Sequence, residues 1–257
     1  MRHDLGDSPG NGLAAHLPSL PQTPDRDRGL AAGAWQDDRV QRLVLFDLDG
    51  TLTDAAPGIV SSLLYALDEM GIEHPDDATI ATFLGPPLKD TFGGYFGMDE
   101  AGIDAAIAHY RVRYNDVGLF ENEVYPGIPD LLARLTGAGF TLATSTSKPT
   151  VSATRILEHF SLAQHFTFIG GASLDSERNS KAEVIAHTLD ELNALGTDTS
   201  AGSITMVGDR QHDVLGAAQF GIPAIGVLWG YGSRAELEGA GAVATADDVG
   251  HLGRLLS

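Results

Sequence analysis

The chain has 257 residues, 43% of them hydrophobic, no cysteine and a formal net charge of −19, enough for one large or two small domains with a substantial core. Without cysteine there is no disulfide framework, thiolate zinc site or cysteine nucleophile, a composition that agrees with a cytoplasmic protein. So acidic a chain repels nucleic acid and anionic membranes, no run of about 18 apolar residues marks a transmembrane helix, and any phosphate site needs a local cation.

Residues 1–40 hold Pro9, Pro18, Pro21 and Pro24, many Asp, Arg and Gly, and few large apolar side chains. This composition predicts a disordered N-terminal tail. It lacks the basic start and continuous apolar centre of a signal peptide. Leu13, Leu17 and Leu20 offer a weak docking patch for a protein partner; the alternative is a tail that is simply solvated.

The first ordered element is the apolar run Leu43–Phe46, which leads into Asp47-Leu48-Asp49-Gly50-Thr51-Leu52. A run closed by a Gly turn suits a central parallel strand covered on both faces. Open α/β sheets bind their ligands at the C-terminal ends of such strands. Two carboxylates there are costly unless a cation or a proton compensates them. One can attack a phosphorus while the other handles a proton; the plainer reading of Asp49-Gly50 is a turn.

Residues 57–70 read as an amphipathic helix, with Pro57 in its first turn, Asp54 as N-cap and Gly71 as its stop. A second helix is expected over 76–84, then a rigid break at Gly85-Pro86-Pro87, then helices over 88–96 and 99–114. No strand is expected within 56–123, which therefore reads as a helical insertion. From Val124 the pattern alternates. Helices are expected near 127–139, at 149–160, 181–195 and 214–220, at Glu236 and at 247–256. Strands are expected at 140–146, 166–170, 204–207, 224–227 and 242–244. Strands alternating with helices imply a doubly wound parallel sheet. The domains are thus 1–40 as tail, 41–55 with 124–257 as α/β core, and 56–123 as a helical cap over the C-terminal sheet edge.

Three more stretches carry chemistry. Thr144-Ser145-Thr146-Ser147-Lys148-Pro149 follows a strand; it offers hydroxyls to a phosphate, or caps the next helix. Lys181 opens an amphipathic helix after Asn179-Ser180; as a lone residue it reads as a solvated surface lysine. Gly208-Asp209-Arg210-Gln211-His212-Asp213 ends another apolar strand in two carboxylates about one helical turn apart. Carboxylates without cysteine or clustered histidine favour a hard cation, Mg²⁺ above all beside a phosphate.

Asp47-Leu48-Asp49-Gly50-Thr51-Leu52 resembles the first motif of the haloacid dehalogenase superfamily, within its phosphatases. The Thr-Ser-Lys-Pro string resembles the second motif; Thr146 aligns best and Thr144 is its rival. Lys181 resembles the third motif, and Gly208-Asp209-Arg210 with Asp213 the fourth. The resemblance covers residues 41–257. The insertion resembles the type 1 cap of the phosphoglycolate phosphatase and β-phosphoglucomutase group. Gly85-Pro86-Pro87-Leu88-Lys89 is similar to that cap's specificity loop, and Trp229-Gly230-Tyr231-Gly232 is also similar to a string in the group.

The resemblance implies a Rossmann-like core and a phosphomonoester hydrolase. Asp47 would be the nucleophile and Asp49 the acid/base. Mg²⁺ would be held by Asp47, the Asp49 backbone carbonyl, Asp209 and Asp213. Thr146 and Lys181, with Gly50 and Ser147, would hold the phosphate, and Pro87 and Lys89 would reach the substrate. That substrate would be a small phosphorylated metabolite, phosphoglycolate or a nucleoside 5′-monophosphate. Asp49 counts against dehalogenation and phosphonate cleavage. The chain is also similar to a mycobacterial protein tyrosine kinase of this superfamily, though it has no Walker A or kinase-type Gly-rich loop. A mutase shares the machinery, and Asp49 and the cap count against a non-catalytic phosphoacceptor of the receiver type.

Overall fold

The computed structural model describes residues 42–84, 88–174 and 178–257. The tail predicted over 1–40 and the Gly85-Pro86-Pro87 break lie outside the described residues. Strand β1 (Leu43–Phe46) is buried throughout, and its side chains alternate between two cores. Val44 and Phe46 enter one, Leu43 and Leu45 the other, as a strand covered on both faces requires.

Beyond β1 come β2 (Thr53–Asp54) and then a helical segment: α1 (Ala56–Glu69), α2 (Asp77–Ala81), α3 (Leu88–Asp90) and α4 (Glu100–Arg113). π-helical turns follow α3 at Thr91–Tyr95 and α4 at Tyr114–Gly118. Strand β3 (Glu123–Val124) returns the chain to α5 (Ile128–Gly137), β4 (Thr141–Pro149), α6 (Thr150–His159) and β5 (Phe168–Ala172). The remainder runs α7 (Lys181–Ala194), β6 (Ile204–Gly208), α8 (Gln211–Ala218), β7 (Ala224–Val227), α9 (Arg234–Ala240), β8 (Ala244–Ala246) and α10 (Val249–Leu256).

Six strands form one parallel sheet in the order β5-β4-β1-β6-β7-β8. Phe46 stands opposite Thr144 on one side and Val207 on the other. Helices α5, α6 and α10 cover the face of Val44 and Phe46; α7, α8 and α9 cover the opposite face. The strand order reverses at β1, so the crevice beyond its C-terminal end is the topological switch point of the sheet.

The helical cap packs α1 against α4 around Leu63, Leu67, Phe92 and Ala106, all with 1% exposure or less. Its two connections to the core pair as a small antiparallel ribbon, Thr53 opposite Val124 and Asp54 opposite Glu123. The sequence reading missed this ribbon, because two residues per strand leave no alternation to detect. Other boundaries moved. Ala55, not Asp54, is the N-cap of α1, and the Asp54 carboxylate accepts a hydrogen bond from Ala56 N instead. The helix expected over 76–84 is only Asp77–Ala81, with Asp76 accepting from Thr79 N. Strand β4 runs three residues further than expected, through an irregularity between Thr146 and Pro149. Helix α8 begins at Gln211 rather than Val214, and β8 lies at Ala244–Ala246 rather than 242–244.

Candidate active site

The loop after β1 is held tightly. Asp47 N donates to Val207 O at 2.9 Å, tying the first carboxylate to β6. Leu52 N and Thr53 N both donate to Leu48 O, and Gly50 N donates to Thr53 O. Gly50 sits at φ +80°, and a Cβ there would lie 2.3 Å from an Asp209 carboxylate oxygen. Only glycine lets this turn reach Asp209.

Asp209 follows β6 and is fully buried. Its Oδ2 accepts from Tyr231 N at 2.8 Å, and its Oδ1 from Thr51 Oγ1 at 3.4 Å. Burial, then the charges of Asp47 and Asp213, push its carboxyl up to about 8, against the opposing pull of Tyr231 N–H and Lys181. Asp213 lies in the first turn of α8, where its Oδ2 accepts from Arg210 N at 3.1 Å. Burial pushes it up to about 6, while Lys181 pulls the other way.

One oxygen each of Asp47, Asp209 and Asp213 falls within 4.8 Å of the others. Lys181, the first residue of α7, reaches in from the side. Its Nζ lies 3.0 Å from Asp47 Oδ1 and 2.6 Å from Asp213 Oδ1, and donates to Ser145 O at 3.0 Å. Burial alone would lower its pKa; Asp213, then Asp47, outweigh burial and hold the ammonium firmly charged. One ammonium cannot balance three buried carboxylates. The elevated acid pKa values express that deficit, and hard oxygen donors so disposed suit a divalent cation. The donor set therefore fits a metal ion.

Asp49 points elsewhere. Its Oδ2 pairs with Lys148 Nζ at 2.8 Å. Burial raises its pKa, with Lys148 opposing. Burial would lower the Lys148 ammonium, but Asp49 and then Tyr114 overcome it and raise its pKa. Thr146 is buried in β4 at the last paired position before the irregularity, and its Oγ1 accepts from Lys148 N at 3.2 Å, leaving its hydroxyl proton free to donate. Thr144 instead donates to Gly170 O within the sheet. Ser147, Lys89 and His212 are exposed, and Pro87 lies outside the described residues. Arg178, the basic neighbour of Lys181, donates to Gly171 O.

Sequence reasoning missed Lys148, Tyr114 and the structural role of the Trp229–Gly232 string. Lys148 carried a signal: it stands two residues beyond Thr146 on an extended segment, the spacing that shares a face. Trp229 Nε1 donates to Thr51 O, and the Tyr231 hydroxyl joins Asp54 to Ala55 N at the cap connection. Nothing in the sequence announced those long-range bonds.

The haloacid dehalogenase-like hydrolase family matches residues 44–227, from the middle of β1 to the end of β7. The chain belongs to this family. A 5′-nucleotidase of Pseudomonas aeruginosa is 47% identical over 194 residues, 76% of this chain and 86% of the relative. The tyrosine-protein kinase PtkA of Mycobacterium tuberculosis is 46% identical over 191 residues, 74% of this chain but only 63% of the kinase. A solved structure described as a predicted phosphatase from Clostridium acetobutylicum superposes with a TM-score of 0.77 at 43% identity, covering 84% of this chain and 98% of that one. Relatives named phosphoglycolate phosphatase match at 30 to 31% identity. The haloacid dehalogenase fold and the phosphatase class expected from the motifs both stand on these likenesses. No helix of the described residues is long and apolar enough to cross a membrane.

Proposed function

We propose that the chain is a Mg²⁺-dependent phosphomonoesterase that works through an aspartyl phosphate on Asp47, with a small phosphorylated metabolite as substrate. The observation that carries this reading is the buried group Asp47, Asp209 and Asp213 around Lys181, with a further carboxylate on Asp49. Asp47, Asp209 and Asp213 would hold the cation. When bound, it supplies the positive charge that a phosphoryl group needs in so acidic a protein.

Lys181 holds an anionic phosphoryl oxygen beside Asp47, and the Thr146 hydroxyl donates to another. An Asp47 oxygen bonds to phosphorus as the bond to the leaving oxygen breaks. The electron pair stays on that oxygen, and Asp49 gives it a proton. Asp49 then takes a proton from water as the water oxygen attacks phosphorus, returning Asp47 and releasing inorganic phosphate. Positioning and charge neutralisation supply most of the rate in such transfers. The cap keeps bulk water from the intermediate.

Relatives named 5′-nucleotidase and phosphoglycolate phosphatase favour nucleoside 5′-monophosphates and phosphoglycolate as substrates. The likeness to PtkA favours a second reading, in which the same residues pass phosphate to a protein tyrosine. The test is phosphate release from these substrates, phosphotyrosine and an aryl phosphate, with Mg²⁺ or EDTA, for wild type and Asp47→Asn. Release that requires both Mg²⁺ and Asp47 is expected. A folded wild type inactive on every member overturns the hydrolase reading, and labelled ATP with a tyrosine peptide then tests the second.

A further inference from the structure

The carboxylate of Asp49 is held asymmetrically. Oδ2 lies 2.8 Å from Lys148 Nζ, while Oδ1 is buried with no hydrogen-bond partner among the described residues. Lys148 comes from the end of β4 and is only 8% exposed. Its ammonium also donates to the hydroxyl of Tyr114 and lies 5.0 Å from the centroid of that ring. Tyr114 belongs to the cap, where its ring stacks on Tyr110 at 5.1 Å and 19°. One buried lysine thus joins a core carboxylate to a cap side chain. Such a pair is weak evidence for stability, since desolvating both ions offsets their attraction. Nor is Lys148 needed to balance the other three carboxylates, whose cationic neighbour is Lys181.

We propose that Lys148 is a positioning residue for Asp49. Held under Tyr114, the ammonium fixes Oδ2 so that the unpartnered Oδ1 faces the leaving-group oxygen, and it does so only while the cap covers the core. The inference rests on the phosphatase reading and adds a residue to its first half-reaction. There Asp47 bonds to phosphorus, the bond to the leaving oxygen breaks with its electrons on oxygen, and the Oδ1 proton of Asp49 passes to that oxygen. Lys148 gives up no proton.

The leaving group separates this role from a structural one. Alkyl phosphates expel a strongly basic oxygen and depend on the acid; p-nitrophenyl phosphate expels a weakly basic one and does not. In Mg²⁺, Lys148→Met is expected to lower kcat/KM for nucleoside 5′-monophosphate and phosphoglycolate about 100-fold, and for p-nitrophenyl phosphate less than about 5-fold. Asp49→Asn sets the benchmark pattern, and Lys148→Arg recovers most of the loss. Tyr114→Phe leaves the ammonium in place and gives the same pattern in smaller measure; it carries the test where Lys148→Met does not fold. Equal losses on alkyl and aryl substrates overturn the proposal. So does a rise in KM confined to phosphoglycolate, which would make Lys148 a ligand for the substrate's carboxylate. A wild type without Mg²⁺-dependent release overturns the phosphatase reading and this inference with it. An active wild type with uniform losses in the variants overturns this inference alone.

Discussion

Replacing Gly230 by Ala tests how the loop after β7 holds the carboxylate site. An added Cβ would lie 2.2 Å from Gly50 O and 2.5 Å from both Cβ and Oδ2 of Asp209. None of these atoms ends a flexible side chain: one is backbone, and the others belong to a short, fully buried residue. Reaching ordinary contact requires an opening of about 1 Å. That shift pulls Tyr231 N from Asp209 Oδ2, now 2.8 Å apart, and moves Asp209 away from Asp47. Overpacking of this kind costs about 1–3 kcal/mol of stability. A 1 Å misplacement of a reacting constellation costs about 100-fold in rate. The assay is kcat and the Mg²⁺ activation constant on the best substrate, alongside Tm. Gly239→Ala is the control, because nothing lies within 4 Å of its Cβ position in α9; it should leave activity unchanged and gain up to about 1 kcal/mol. Gly230→Ala with wild-type kcat and Mg²⁺ dependence would refute the reasoning.

Three further outcomes follow from the same contacts. In EDTA, Tm should fall as pH rises from 5 to 8.5: Asp209, raised to about 8, and Asp213, raised to about 6, keep protons in the native state that the unfolded chain has released. Stability is then lost with rising pH above the unfolded carboxylate pKa, and added Mg²⁺ should raise Tm more at pH 8 than at pH 5.5; a flat Tm in EDTA with no pH-dependent Mg²⁺ shift contradicts this. Tyr231→Phe leaves Ala55 N without its 3.0 Å acceptor and should cost about 1–3 kcal/mol by urea unfolding. Phe92→Ala empties a fully buried site in the cap and should cost about 3–5 kcal/mol in the same assay; a loss below about 1 kcal/mol would mean the cap core is not packed as described.

Much of the fold was legible because its signals are local. β1 is a short apolar run that must be covered on both faces, and its residues do divide between two cores. Helices α1 and α7 carry their periodicity within 14 residues each. The β2–β3 ribbon was invisible, since a strand of two residues is defined only by its distant partner. The start of α8 was misjudged because Gln211 and His212 are polar and exposed, so the apolar pattern begins a turn late.

The candidate site divides in the same way. By itself the sequence determined which carboxylates stand at strand ends and which lysine opens a helix, because those positions follow from backbone pattern and motif order. Only the tertiary structure decided that Asp47, Asp209 and Asp213 share one buried space, that Lys181 serves two of them, and that Lys148 turns to Asp49 and Tyr114. The physical reason is that charge pairing in a buried site depends on a few ångströms of separation and on shared desolvation. Neither quantity exists until the sheet order has brought distant strand ends together.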